Sequence, residues 1–376
     1  MHKIKRMILC NIPTTVCNLR CHYCYLGQRP VTFEREQANF IYSPDFVGKA
    51  FSKERLGGVC FFNFCAAGET LLTNRIEEYF RAIIEQGHYI EIVTNMTISP
   101  VIDKILSWDV ELLKRTEFKC SFHYLELAKN GLLNIFVENV KKTWAAGASA
   151  SIEITPPDDL IPHIDDIIVF SMKHFGALPQ LTIARNDATD GIEYLTELPL
   201  AEHEAVWSRF ASPFWRFKRS IFKVKRTEFC YAGMYSLFVD MATGKTGQCY
   251  ISNYHQNVFK NLSKPIKFIP IGKCQQPHCY NGHAFLTMGN IPGKFTDVRF
   301  GTDIRDRMRV DGTHWLDDDL RSFFDGRCDE NNSLLSKLQK VYYLLLNLTY
   351  LIANKFVYMV RKLLLKIISL PKTREL

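Results

Sequence analysis

Cys17, Cys21 and Cys24 stand in a C-x3-C-x2-C arrangement within residues 16–26, VCNLRCHYCYL. Three thiols so close together, with no fourth beside them, can bind three irons of a 4Fe–4S cluster, a group normally held by cysteine thiolates. The fourth iron is then open to another ligand, and an open position separates catalytic metal sites from closed structural ones. A zinc site is the other chemistry such a trio allows. A second set lies downstream. Cys230 and Cys249 bracket a strand–turn–strand that carries DMATGKTG, and Cys274 and Cys279 follow in CQQPHCYNGHAF. Four thiols from a hairpin and a loop make a closed site for zinc or for an Fe–S cluster, and spacing does not separate the two. His278 and His283 lie among them, although four cysteines already complete the site.

These residues must be positioned by a chain of 376 residues, long enough for one large domain and an appendage. The opening MHKIKRMILC lacks the apolar core and cleavage site of a secretory signal. The expectation is a cytoplasmic protein with reduced thiols, in which clustered cysteines are ligands rather than disulfides. The net charge of +8 is uneven: residues 331–376 hold eight Lys and Arg against one acid, Glu375, and the remainder holds 39 basic and 38 acidic side chains. Near balance over the body excludes a nucleic-acid partner as the main function and confines any basic interaction to the tail.

Short apolar runs alternate with amphipathic segments. Strands are expected at Met7–Ile12, Val59–Phe64, Tyr89–Thr94, Phe118–His123, Ala150–Thr155 and Gln180–Arg185. Helices are expected at Pro44–Leu56, Asn74–Gln86, Val101–Leu106, Leu132–Ala146 and His163–Phe175. The alternation predicts parallel βαβ units of an α/β fold, and six units suit a partial (β/α)6 barrel better than a closed eightfold one. The Cys17 loop then leaves the C-terminal end of the first strand, where such barrels build their active sites. An aromatic-rich helix over Glu202–Lys218 leads to the cysteine-rich stretch. The expected division is a barrel over residues 1–200, a linker helix and small cysteine-rich domain over 201–330, and a basic amphipathic helical tail over 331–376.

With Tyr23 before its last cysteine, the first loop resembles the signature of the radical S-adenosylmethionine (SAM) superfamily. The resemblance implies SAM bound to the open iron through its amino and carboxylate groups. It also implies electron transfer from the reduced cluster, cleaving SAM to methionine and a 5′-deoxyadenosyl radical that abstracts hydrogen. FFNFCAAGETLL, at the end of the second strand, resembles the family's Gly-Gly-Glu-Pro element, with Gly68 and Glu69 kept and Ala67 and Thr70 replacing the first glycine and the proline. Glu69 is expected to accept hydrogen bonds from the SAM ammonium, and Gly68 to let the backbone approach the ligand closely. Tyr23 and Ser121 complete the expected SAM-binding set. VTNMT resembles the family's Thr-Asn-Gly turn and makes Thr94 a candidate that faces substrate. His123, read as sharing the strand face of Ser121, is a second candidate. Glu153 and Arg185, charges inside apolar strands that must pair or face a polar cavity, are the others. Cys10, Cys60, Cys65 and Cys120 read as small buried hydrophobes, and Cys328 as a leftover.

The second cysteine set resembles the Twitch domain, the short form of the SPASM domain, in which four cysteines hold one auxiliary 4Fe–4S cluster; zinc stays the alternative. Such a cluster can accept an electron from a substrate radical, which makes the net reaction an oxidation. Only 16 residues precede Cys17, so the N-terminal peptide-binding module of many peptide maturases is expected to be absent. That favours a small-molecule or sugar substrate, with a peptide-modifying maturase and a non-catalytic Fe–S or zinc scaffold as the alternatives. An external electron donor such as flavodoxin or ferredoxin is implied as partner.

In the tail, Lys340, Asn347, Asn354 and Arg361 recur every seven residues within a strongly apolar segment, with Lys355, Lys362 and Lys366 beside them. The polar residues among them argue against a membrane span. Two expectations stand together: a helix lying on an anionic membrane surface, peripheral on the inner face of the cell membrane, or a helix packed on the protein's own body or a dimer partner. The membrane reading brings in a cell-surface polysaccharide precursor as substrate.

Overall fold

The computed structural model describes residues 2–28, 36–188, 191–249, 252 and 254–349. Six parallel strands follow the chain in spatial order: β1 (Arg6–Ile12), β2 (Cys60–Ala66), β3 (Tyr89–Thr94), β4 (Thr116–Ser121), β5 (Ser149–Ile154) and β6 (Gln180–Leu181). Helices such as Ile76–Ile84, Ser99–Leu106, Leu133–Ala145 and Ile164–Phe175 make the crossovers. The protein is α/β, with the parallel sheet of a partial barrel. The strands are buried on both faces, as the sequence RMILCNI of β1 shows with only Asn11 partly open. Cys10, Cys60 and Cys120 are buried within them, while Cys65 is only half-buried and reaches the cavity described below.

Several expected elements break where local chemistry intervenes. Pro44–Leu56 divides into Pro44–Ala50 and Lys53–Leu56, because Ser52 turns extended and its hydroxyl caps the second piece at Arg55 N. Glu202–Lys218 divides into Leu200–Trp207 and Pro213–Ile221 around Ala211, which has φ of 44°, and Pro213, which a helix interior does not tolerate. β4 stops at Ser121, so His123 is not on the strand; it stands at the start of the helix Tyr124–Lys129. The sixth strand is only two residues long. Its outer edge is met by Ser212, whose hydroxyl accepts from Leu181 N at 3.0 Å. Arg185 belongs instead to a short antiparallel pair, Arg185–Asn186 with Glu193–Tyr194.

The cysteine-rich segment shares the barrel's sheet. Strand Ser236–Asp240 pairs in parallel with the other edge of β1, from Met7 opposite Ser236 to Asn11 opposite Asp240. Lys245–Gly247 and Tyr254–Asn257 extend that edge antiparallel, giving nine strands in one sheet among the described residues. The helix Asp318–Phe324 closes the N-terminal end of the barrel, with Phe323 stacked on Tyr89 at 3.7 Å and Phe324 against Phe61 at 4.7 Å.

The tail is helical over residues 337–349; the rest of the expected helix, with Asn354, Lys355, Arg361, Lys362 and Lys366, lies outside the described residues. The polar stripe of this portion turns inward. Asn347 Nδ2 donates to the carbonyls of Pro270 at 2.7 Å and Ile271 at 3.1 Å, and Lys340 Nζ sits 5.4 Å from the Phe229 ring. Leu338, Val341, Tyr342, Leu345 and Leu348 face outward and are exposed. Among the described residues no helix is long and apolar enough to cross a membrane.

Candidate active site

The loop after β1 brings Cys17, Cys21 and Cys24 to the C-terminal mouth of the barrel, where all three thiols are free, half-buried, and line one cavity of about 560 Å³. That volume is ordinary for a small-molecule site. The loop is tied to the end of β2 through backbone: Gly68 N donates to Thr14 O and Glu69 N to Val16 O, both at 2.8 Å. This tie gives Gly68 a second task beside the expected one. A Cβ there would lie 2.1 Å from Val16 O and 2.7 Å from Thr15 C, so glycine lets the backbone approach the cysteine loop itself.

Glu69 is buried, with 3% of its surface exposed, and still lines the cavity. Its carboxylate accepts from Thr94 Oγ1 at 2.6 Å, Asn95 N at 2.7 Å and Leu71 N at 3.0 Å. Burial pushes its pKa up and these three bonds pull it back down only in part. Among the described residues no cation pairs with it. Thr94 therefore directs its hydroxyl proton at Glu69 rather than at open space. The turn that holds this arrangement needs Met96 at φ of 56°, a left-handed conformation at the position where the resembling motif has glycine. Full burial of Met96 and a bond from its N–H to Thr94 Oγ1 at 3.0 Å hold it there.

Tyr23 and His123 meet across the cavity wall, with the phenol oxygen 2.7 Å from Nδ1. Burial depresses the His123 pKa to about 4, so the imidazole is neutral near pH 7, and burial raises that of Tyr23. Tyr23 also hydrogen-bonds Cys21. It thus fixes the cysteine loop to the start of the helix after β4. Ser121, at the end of β4 and in register with Glu153 of β5, lines the cavity.

Deeper in the barrel lies a charged cluster. Arg305, from a π-helical turn over Phe300–Arg305, meets Glu91 at 2.6 Å, Glu117 at 3.9 Å and Glu153 at 3.4 Å; Lys119 pairs with Glu153 at 3.1 Å. Burial, then the Glu91 carboxylate, push Glu117 up to about 8, so it is the protonated member. Glu153 stays below the ordinary carboxylate value: burial alone would raise it, but Lys119, Arg305 and Lys218 outweigh that. Arg185 lines the cavity and pairs with Asp187 at 3.5 Å. Arg305 and Lys218 are cavity residues that spacing did not single out.

Cys230, Cys249, Cys274 and Cys279 come together. Strand Phe229–Cys230 pairs with Gly272–Lys273, which sets Cys230 beside the turn to Cys274. Cys279 lies within electrostatic reach of the other three, and burial pushes its pKa well up. From Cys279 the chain runs straight into the cavity wall, where Tyr280, Asn281, His283 and Ala284 line the space shared with the first cysteine loop.

By donor chemistry both cysteine sets, of three and four free thiols, suit Fe–S clusters, which cysteine thiolates normally hold, and zinc takes the same donors. The buried carboxylate of Glu69, lacking a cation and beside three thiols, fits the ammonium of SAM.

No family model matches the chain, and no curated protein matches it either. Solved structures do. Streptococcus suis SuiB bound to S-adenosylmethionine is 14% identical, with 68% of this chain and 64% of that one covered at a TM-score of 0.47. Native anSMEcpe with bound AdoMet is 13% identical, with 69% and 80% covered at 0.48. BtrN in complex with AdoMet and 2-DOIA is 14% identical, with 70% and 82% covered at 0.36. The chain spans less than two thirds of the length of SuiB.

Proposed function

We propose that this chain is a radical SAM enzyme, an oxidoreductase acting on a small molecule or sugar. Glu69 carries the proposal: a buried carboxylate without a cation, oriented by three hydrogen bonds, on the same cavity as Cys17, Cys21 and Cys24. A ligand that brings an ammonium to Glu69 and meets the cysteines through a metal satisfies both needs, and SAM on a 4Fe–4S cluster is such a ligand. When bound, that pair supplies the electron that cleaves SAM and with it the species that takes a hydrogen atom from substrate. In this account Cys17, Cys21 and Cys24 hold the cluster, Glu69 orients SAM, and Ser121 and the Gly68 backbone shape its bed. Thr94 positions Glu69, and Tyr23 with His123 braces Cys21.

Cys230, Cys249, Cys274 and Cys279 are proposed to hold an auxiliary cluster, which would supply an electron acceptor. Supporting this, residues 280–284 join that set directly to the cavity wall. Glu153 and Arg185 stand on the substrate half of the cavity, and flavodoxin or ferredoxin is the proposed electron donor. The account is tested by anaerobic incubation of iron-loaded protein with SAM and dithionite. Wild type should release 5′-deoxyadenosine, and Cys21→Ala should not. Iron-loaded wild type that leaves SAM intact would reject it. Tight capture of a short partner peptide would replace the small-molecule substrate with a peptide.

We infer also that the tail lies on an anionic membrane surface. Its described turns hold the body through Asn347 and Lys340 and present leucines outward, and the sequence that follows carries Lys355, Arg361, Lys362 and Lys366. Apolar insertion beside basic side chains is the chemistry of interfacial helices. A lipid-linked sugar, as in polysaccharide assembly, would reach the cavity from such a surface.

A further inference from the structure

Lys218 is out of place by the rules that govern the rest of the cavity. Each of the other cations there has its carboxylate: Arg305 has Glu91, Lys119 has Glu153, and Arg185 has Asp187. Lys218, on the helix Pro213–Ile221, lines the same cavity, and among the described residues no carboxylate forms an ion pair with it. Its hydrogen-bond partner is the hydroxyl of Thr182, just past β6, and the Phe214 ring lies 5.3 Å away. An ammonium has three donors, so two remain for whatever enters the cavity. A half-buried cation without an anion is costly unless one arrives.

We propose that Lys218 is the anion-recognition point of the substrate site, so that the substrate carries an oxyanion, a phosphate or a carboxylate, bound by this ammonium with Arg185 beside it. The proposal deepens the radical SAM reading and rests on it for the word substrate. The placement suits the chemistry. Lys218 and Arg185 belong to the segment after β6, whereas Glu69 and the three cysteines belong to the ends of β1 and β2. The anion therefore anchors the substrate on the side away from SAM's ammonium. His283, from the wall that follows Cys279, is a neutral neighbour, since burial and then Lys218 keep its pKa well below 6.5. The groups around Lys218 are Glu153, which favours its charge, and Arg185, Lys119 and Arg305, which oppose it. Burial outweighs Glu153, and the pKa falls to about 7. An arriving anion reverses that balance, so binding above pH 7 should draw a proton onto Lys218.

The test is calorimetry on reconstituted, SAM-loaded protein titrated with inorganic phosphate and, separately, with acetate, at pH 8 in two buffers of different ionisation enthalpy. Wild type should bind at least one of the two with proton uptake, and the tighter one names the kind of oxyanion. Lys218→Gln should weaken that binding by about ten- to a hundredfold, the loss of one charge-assisted hydrogen bond. Lys218→Arg should keep it within a few fold and take up no proton. Because Gln leaves no carboxylate orphaned, its thermal midpoint should match or exceed that of wild type, which shows that the variant is folded. Absence of binding by wild type, equal binding by Lys218→Gln, or binding without proton uptake would overturn the proposal. SAM-dependent change in the cluster's EPR signal, read on the same samples, decides the enzyme reading separately.

Discussion

Arg305 Nε donates to Glu91 Oε2 at 2.6 Å across 214 residues of sequence, with 3% and 0% of the two side chains exposed. Through this pair the segment after the second cysteine set enters the interior of the barrel, where Glu117 and Glu153 also await it. Removing one partner of a buried pair leaves the other charged and unpaired. Arg305→Leu should therefore cost about 3–5 kcal/mol, measured by denaturant unfolding, and a loss under about 1 kcal/mol would show that the cluster is not sealed as described.

Glu117 predicts a pH dependence of stability. Its folded pKa, raised to about 8 by burial and by Glu91, lies above the unfolded value near 4.5. Between those values the folded state binds more protons than the unfolded one, so this group's contribution to stability falls as pH rises from about 5 to about 8. Glu117→Gln, which cannot ionise, should gain on wild type steadily over that window. Parallel stability curves for the two proteins would contradict the assignment.

Gly68→Ala should disturb the cysteine loop before it disturbs SAM. The added Cβ meets backbone, Val16 O at 2.1 Å, and backbone cannot swing aside as a side chain can. Overpacking of this kind costs about 1–3 kcal/mol. Iron content after reconstitution should fall together with thermal stability, whereas a fully loaded variant with weakened SAM binding would restore the ligand-approach role.

How much of this was visible beforehand follows from how local each signal was. The cysteine spacings and Gly68–Glu69 are local, and their placement at the ends of β1 and β2 follows from strand alternation. Barrel strands one to five stand within two residues of expectation because buried parallel strands are written as apolar runs. Strand six and the position of Arg185 were not legible, since Ser212, a residue 31 positions away, decides where the edge closes. Arg305 gave no sign for the same reason, its partners lying 152 to 214 residues off. Lys218 did leave a trace: it is three and four residues from Trp215 and Phe214 on a helix that buries both. Met96 shows the opposite limit, taking a glycine conformation that its side chain gave no reason to expect.

The tail should bind vesicles containing anionic lipid and release them as salt rises, as basic amphipathic helices do. Replacing Leu338 and Leu345 with Glu should abolish cosedimentation without changing the fold of the body, since both are exposed, at 83% and 58%. Undiminished binding by that variant, or none by wild type, would return the helix to a role within the protein alone.

The most direct measurement is EPR of anaerobically reconstituted, reduced protein with and without SAM, comparing wild type with Glu69→Gln. The variant keeps one acceptor oxygen, enough for Thr94 and Leu71, but puts an NH2 opposite Asn95 N and loses the negative charge meant for an ammonium. Wild type should show a 4Fe–4S signal that shifts on SAM addition, and Glu69→Gln should show the same starting signal with a shift needing at least about tenfold more SAM. A cluster signal in wild type that SAM leaves untouched would contradict the account at its centre.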